Sequence, residues 1–243
     1  MEELAQKLVS WIRKQVEDAG CKGLVLGLSG GIDSAVVAVL CKKALPQNTL
    51  GAILPCHSIV DDMADAKALA KQFDIETTTV VLDSIYDSLM AAIALPGTID
   101  EKKQKLALAN LKPRLRMTSL YYIANQLNYL VVGTSNKSEL AVGYYTKYGD
   151  GGSDIIPMGT LVKGQVRELA AYLGIPQQII DKPPSAGLWS GQTDEMEMGI
   201  TYDQLDTYIT CGEGDEGICK QIEAMVKASA HKRKPAPIPP FDA

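Results

Sequence analysis

The sequence predicts an α/β chain: a doubly wound, mainly parallel sheet flanked by helices, followed by further C-terminal helices. Three observations carry this. Short apolar runs of strand length alternate with helical patterns from residue 1 to residue 132, and such alternation implies parallel strands joined by helical crossovers. Ser29-Gly30-Gly31-Ile32-Asp33-Ser34 stands between two apolar runs, Leu24–Leu28 and Ala35–Leu40, and reads as strand, tight turn, helix start. Beyond residue 143 the strand runs stop and helical patterns remain.

Each element follows from its own residues. Leu4, Leu8, Trp11, Ile12 and Val16 fall at helical spacing, which predicts a helix over 2–19. Strand one is Leu24–Leu28, and the second helix covers 33–43. Strand two is Leu50–Leu54, ended by Pro55. A third helix over 61–73 turns Ala66, Leu69, Ala70 and Phe73 inward. Thr77–Leu82 is rich in β-branched residues and reads as strand three. A helix over 85–92 precedes a break at Pro96-Gly97. Residues 100–127 are helical, with Pro113 implying a kink or a restart. Tyr129–Val132 is strand four. Gly149–Gly152 is a loop. Thr160 is the expected cap of a helix over 161–173, ended by Gly174. Residues 182–195 show no periodicity and read as a mobile lid or a linker. Helices over 201–209 and 215–230 precede an extended proline tail at 235–240.

Composition narrows the function. A chain of 243 residues with 46% apolar content can bury a substantial core as one α/β domain or two small ones. The formal net charge of −5 argues against broad electrostatic binding to nucleic acid, while leaving a small anionic substrate open. Five cysteines without a C-x-x-C pair read as reduced thiols, which predicts a cytoplasmic protein. The acidic start Met1-Glu2-Glu3 is not a signal peptide. No apolar run approaches the roughly 20 residues that span a bilayer.

The glycine turn is a phosphate site. Successive N–H groups converge there and the helix dipole adds partial positive charge. Asp33 is out of place beside an anion unless a cation accompanies it, and Mg²⁺ bridging carboxylate and phosphate resolves the conflict. Neither G-x-x-x-x-G-K-[ST] nor G-x-G-x-x-G follows the first strand. In open α/β sheets ligands sit beyond the carboxyl ends of the strands, so three segments converge: Ser29–Ser34, Leu54-Pro55-Cys56-His57-Ser58 and Gly133–Glu139. Glu139 can reach the same metal as Asp33, or can complement a helix dipole. Thr134 can bond a nucleotide or cap the next helix. Asn110–Met117, Tyr144–Asp154 and His231–Lys234 bring positive charge, although basic helix faces are commonly just solvated. Lys163 and Arg167, one turn apart, can reach one phosphate group. Cys56 beside His57 lacks the surroundings of a thiol nucleophile.

S-G-G-x-D-S resembles the pyrophosphate loop of the N-type ATP pyrophosphatases. The full set resembles the NAD synthetase family: Ser29–Ser34, Asn110–Met117, Gly133-Thr134 with Glu139, Thr146–Gly152 with Asp154, Pro184-Ser185, Gly191–Glu195 and His231-Lys232. The resemblance covers nearly the whole chain. It implies an adenine nucleotide alpha hydrolase-like fold in a single domain, 1–243. Residues 1–143 would be the ATP pyrophosphatase core, 144–243 the substrate-contacting part, and 184–195 its mobile loop.

The resemblance also implies the chemistry: amidation of deamido-NAD to NAD, the last step of NAD biosynthesis, by ammonia and ATP through an acyl adenylate, with release of AMP and pyrophosphate. Gly27, Leu28, Ser29, Gly30, Gly31, Ile32, Asp33, Ser34, Thr134, Lys163 and Ser185 would contact ATP. Asp33 and Glu139 would hold Mg²⁺. Arg114, Lys147, Asp154, His231 and Lys232 would contact deamido-NAD. Asp33, Lys163 and Asp154 are the expected catalytic residues, with Asp154 taking the ammonium proton. A homodimer is implied, with the dinucleotide near its interface. A separate glutaminase subunit is the other possible source of ammonia. One departure stands out: many family members read Gly-Thr-Asp-His-Ala-Ala-Glu where this chain has Gly133-Thr134-Ser135-Asn136-Lys137-Ser138-Glu139. The rival readings are another ATP pyrophosphatase, such as the synthetase half of GMP synthetase or a tRNA thiolase, and a non-catalytic adenine-nucleotide sensor.

Overall fold

The computed structural model describes residues 1–58, 60–94, 100–185, 187 and 191–240. The expected Pro96-Gly97 break and part of the 184–195 loop lie outside them.

Four parallel strands form one sheet in the order β3-β2-β1-β4: β1 (Gly23–Gly27), β2 (Thr49–Ile53), β3 (Glu76–Thr79) and β4 (Tyr129–Val132). Leu24 pairs with Thr49 on one side and Leu130 on the other. The chain therefore leaves β1 in one direction and returns on its opposite flank, which makes the join between β1 and β4 the topological switch point.

One face of the sheet is covered by α1 (Glu2–Asp18), α2 (Ile32–Ala44), α3 (Val60–Gln72), α7 (Lys163–Leu173) and the single-turn α8 (Gln177–Ile180), which share one apolar cluster. The other face packs on α4 (Asp83–Ala92) and α5 (Glu101–Leu127), through Leu82, Tyr86, Met117, Leu120 and Ala124. Ala35 through Cys41 are all buried, which explains why α2 reads as a continuous apolar run. Each of its valines and Leu40 contributes about 1.5–3 kcal/mol on burial. A third cluster joins α6 (Lys137–Val142), α9 (Asp194–Met198), α10 (Tyr202–Cys211) and α11 (Glu216–Ala228) through Val142, Met198, Tyr202, Leu205 and Ile222. It seats the C-terminal helices beside the switch point. Among the described residues no helix is long and apolar enough to cross a membrane.

The departures from expectation have physical causes. β3 stops at Thr79 rather than Leu82. The backbone still follows β2, with Val80 N–H donating to Ile53 O (3.0 Å) and Leu82 N–H to Pro55 O (2.8 Å), but outside the regular ladder. Of the two expectations for Pro113, a restart is excluded: α5 is one helix of 27 residues with Pro113 inside it. Proline removes one N–H donor, while Ala109, Met117, Leu120 and Ala124 are buried on either side of it and hold the helix together. Thr160 does not cap α7. Residues 158–161 form a turn, with Leu161 N–H donating to Met158 O (2.9 Å), and the helix begins at Lys163. The short helices α6, α8 and α9 are too brief to show a period. α9 begins in the last two residues of the stretch read as irregular, and the Thr193 hydroxyl caps it by accepting from Met196 N–H at 3.3 Å.

Candidate active site

The phosphate loop is built from local hydrogen bonds. β1 ends at Gly27, and Gly31 is the N-cap of α2. The Ser34 hydroxyl donates to Gly31 O (2.9 Å) and lies 3.0 Å from the Ser29 hydroxyl, which accepts from Gly31 N–H (3.3 Å). Among the described residues no side chain caps the first turn of α2, so the N–H groups that follow Gly31 are available to an anion. Gly30 has φ +82°, and a Cβ there would lie 2.3 Å from Asp62 O. Both the turn and the pressure from α3 demand glycine.

Beside the loop stands a charged triangle. Lys163 Nζ pairs with Asp33 Oδ2, contacts Glu139 Oε1 at 3.3 Å and lies 4.8 Å from the centre of the Tyr202 ring. Lys163 is fully buried. Burial works to lower its pKa, but Asp33 and Glu139 outweigh it, so the ammonium stays charged. Burial and the Asp33 charge push Glu139 well above the ordinary carboxylate range, against the pull of Lys163. Asn136 joins the pieces. Its side chain donates to Asp33 Oδ1 (3.0 Å) and accepts from Glu139 N–H (3.0 Å), while its N–H donates to Glu139 Oε2 (3.2 Å). Asn136 is thus the cap of α6, and Thr134 is left to face the cavity.

The cavity, of about 540 Å³, opens beyond the carboxyl ends of β1, β2 and β4, within the range of small-molecule sites. Its lining includes Gly27, Leu28, Ser29, Gly31, Ile32, Asp33, Ser34, Thr134, Glu139, Ser185 and Lys232. Gly30 supports the loop from behind, and Lys163 reaches it through the two carboxylates. A strand-end loop that can take phosphate, with two carboxylates and a buried ammonium beside it, suits handling of a nucleoside triphosphate.

The family model for NAD synthase matches residues 4–236. The chain belongs to the NAD synthase family. It is 50% identical to the NH₃-dependent NAD⁺ synthetase of Carboxydothermus hydrogenoformans over 238 residues, which cover 98% of this chain and 97% of that protein. The structure of NMN synthetase from Francisella tularensis superposes with a TM-score of 0.92 at 40% identity, covering 99% of this chain and 98% of that one. That of the NH₃-dependent NAD synthetase from Campylobacter jejuni gives 0.81 at 31% identity, with 98% of each chain covered.

Within this NAD synthase fold Arg114, Lys147, His231, Arg167 and Asp154 stand apart from the cavity wall. Arg114 Nε donates to Lys147 O (3.3 Å), Lys147 Nζ donates to His231 O (2.8 Å), and Lys232 Nζ donates to Gly143 O (2.8 Å) and Tyr145 O (2.7 Å). The four form one basic strip, of which Lys232 reaches the cavity. Arg167 pairs outward with Asp203 at 3.6 Å. Asp154 is exposed and does not line the cavity. Its Oδ1 accepts from the Tyr121 hydroxyl (2.9 Å) and its Oδ2 from Val131 N–H (2.7 Å), which ties both oxygens to the edge of β4. Cys56 is buried, and burial raises its thiol pKa despite nearby Arg116 and Lys112, so it is not poised as a nucleophile.

The residue pattern alone assigned no role to three groups at this site. Asn136 lay in the segment that departs from many relatives. Arg116 lines the cavity and fixes the exit of β2, donating to Leu54 O (3.0 Å) and to the Ser58 hydroxyl (3.1 Å). Asp194 lines the cavity and is 5% exposed. Its Oδ2 accepts from the Tyr202 hydroxyl at 2.9 Å, while its buried Oδ1 has no hydrogen-bond partner among the described residues. Burial raises the Asp194 pKa. The Gly191–Glu195 motif was the available signal for it.

Proposed function

We propose that this chain amidates deamido-NAD to NAD with ammonia and ATP, the activity by which its 50% identical relative is named. The observation that carries the reading is the phosphate loop with Asp33, Lys163 and Glu139 gathered beside it. Carboxylate and ammonia do not condense unaided, because oxide is a poor leaving group. In the first step the nicotinate carboxylate oxygen attacks the α-phosphorus of ATP, and the bond to the β-phosphate oxygen breaks. The departing pyrophosphate is received by the N–H groups of the first turn of α2, within Ser29–Ser34, and the Lys163 charge behind Asp33 and Glu139 offsets what develops on its oxygens. In the second step ammonia attacks the acyl carbon, the bond to AMP breaks, and the ammonium proton needs an acceptor.

Asp33 and Glu139 fit Mg²⁺, because they offer hard carboxylate oxygens to one point already facing a cation. When bound, it would supply charge neutralisation for the triphosphate oxygens. For the ammonium proton, Asp194 is the better carboxylate than Asp154: it lines the cavity, whereas Asp154 lies outside it with both oxygens engaged. The basic strip Arg114–Lys147–His231–Lys232 is read as the contact for the dinucleotide phosphates. The chain is read as one domain acting as a homodimer. Exposed Tyr122 and Leu127 on α5 are compatible with a partner, and sedimentation tests the dimer.

A second reading is amidation of the mononucleotide, favoured by the 0.92 TM-score to the Francisella tularensis NMN synthetase. The chemistry is the same and the acid differs. The full chain with ammonium and Mg-ATP is assayed for AMP, pyrophosphate and amide product on deamido-NAD and on nicotinic acid mononucleotide. A higher kcat/KM on deamido-NAD is expected. A preference for the mononucleotide selects the second reading. No AMP with either acid, in protein that binds ATP, defeats both and leaves the nucleotide sensor.

A further inference from the structure

We infer that Asp206 on α10 is a positioning residue for the Lys163–Glu139 pair, acting through the first turn of α7. The inference rests on the activity proposed above. α7 follows Val162, whose side chain cannot bond the free N–H groups of a helix start. Asp206 supplies that function from another element. Its Oδ1 accepts from Lys163 N–H (3.3 Å) and its Oδ2 from Gly164 N–H (2.7 Å). The same Oδ1 accepts from the Ser138 hydroxyl, whose oxygen in turn accepts from Lys163 N–H at 3.1 Å. Ser138 is fully buried and precedes Glu139 in the chain.

One carboxylate therefore holds both the backbone that carries Lys163 and the helix that carries Glu139. A negative group at this helix start is favoured by the dipole. The consequence is geometric. The lysine ammonium sits at the end of a flexible four-carbon stem, so its place between Asp33 and Glu139 depends on a fixed Cα. The backbone of Lys163 is pinned by Ser138 and Asp206, and its Nζ by Asp33 and Glu139. An amide in place of the carboxylate would retain one acceptor oxygen for three donors and turn an NH₂ toward one of them.

The test compares Asp206→Asn and Asp206→Glu with Asp203→Asn, an exposed carboxylate on the same helix, in the full chain. Amide hydrogen exchange is read at Lys163 and Gly164 and steady-state kinetics on deamido-NAD. In Asp206→Asn, exchange at both amides is expected to accelerate by about ten-fold or more. Its kcat is expected to fall by about ten- to a hundred-fold, with KM for deamido-NAD within about two-fold of wild type. Asp206→Glu should recover part of the loss, and Asp203→Asn should match wild type. Folded Asp206→Asn with unchanged exchange, or with kcat within about two-fold of wild type, overturns the inference. If Asp206→Asn does not fold, Ser138→Ala reads the same split, and wild-type kcat in that variant overturns it equally. A wild-type protein that releases no AMP defeats the proposed function instead, and the exchange measurement still tests the cap.

Discussion

Replacing Lys163 by methionine removes the charged terminal group while keeping an unbranched side chain that fills most of the same buried space. Lys163 is fully buried and pairs with both Asp33 and Glu139. Removing one partner of a buried pair costs about 3–5 kcal/mol, because the remaining charge is left uncompensated. Here part of that is recovered. Asp33 Oδ1 keeps the Asn136 amide, and Glu139 keeps the Asn136 N–H and the Tyr202 hydroxyl at 3.3 Å. Glu139 is also already pushed toward its neutral form by burial. The expected loss in unfolding free energy is therefore about 2–4 kcal/mol, which a domain of ordinary stability survives. The kinetic loss should be larger in proportion. A preorganised charge at the developing pyrophosphate oxygens is worth about 10²–10³ in rate, and Lys163 acts on them through Asp33 and Glu139. Pyrophosphate exchange into ATP, with deamido-NAD present and ammonium absent, isolates adenylation. Urea unfolding of the same protein gives the stability. A Lys163→Met protein with wild-type urea midpoint and exchange within about ten-fold of wild type would refute the assignment of Lys163 as the charge that binds the carboxylates and assists departure.

Three further outcomes follow from the same geometry. Gly30→Ala meets both φ +82° and a Cβ 2.3 Å from Asp62 O, so a loss of about 2–4 kcal/mol is expected. ATP binding should weaken, and calorimetry showing wild-type affinity would contradict it. Thr160→Ala should change stability by no more than about 0.5 kcal/mol in chemical denaturation, because Thr160 lies outside the α7 cap; a loss above about 1 kcal/mol would restore it as the cap. In metal-free protein, the raised Glu139 pKa makes stability fully present below its ordinary 4.5 and lost as pH rises through the raised value. Thermal melts across that window should flatten in Glu139→Gln, and unchanged pH dependence in that variant would exclude Glu139 as the group responsible.

The legible parts of the fold are those whose cause is local. α2 reads from a run of buried apolar residues and β1 from a short buried run, and β4 from a short apolar run flanked by turns although it lies at the sheet edge. Pro113 does not restart the helix because its penalty is local while the packing that holds α5 together, against β1 and β4, is not. Thr160 misled for the matching reason. A hydroxyl before a helical pattern is a sound local cap, but Ser138 and Asp206 approach from distant segments and the helix starts where they meet it.

The site divides along the same line. Ser29–Ser34 is bonded within six residues, so its phosphate-holding shape follows from its own sequence. The partners of Asp33 lie 103 and 130 positions away in Asn136 and Lys163, and no spacing announces them. Asp154 and Asp194 are alike as residue types in glycine-bearing motifs, and only the fold separates them. One is spent on the Tyr121 hydroxyl and Val131 N–H outside the cavity, and the other is buried in the cavity wall against the Tyr202 hydroxyl. The aspartate that looked misplaced at an anion site is explained by the same distance in sequence. Lys163 neutralises it from α7, so the start of α2 can stay attractive to phosphate while the carboxylate pair remains available to a divalent cation.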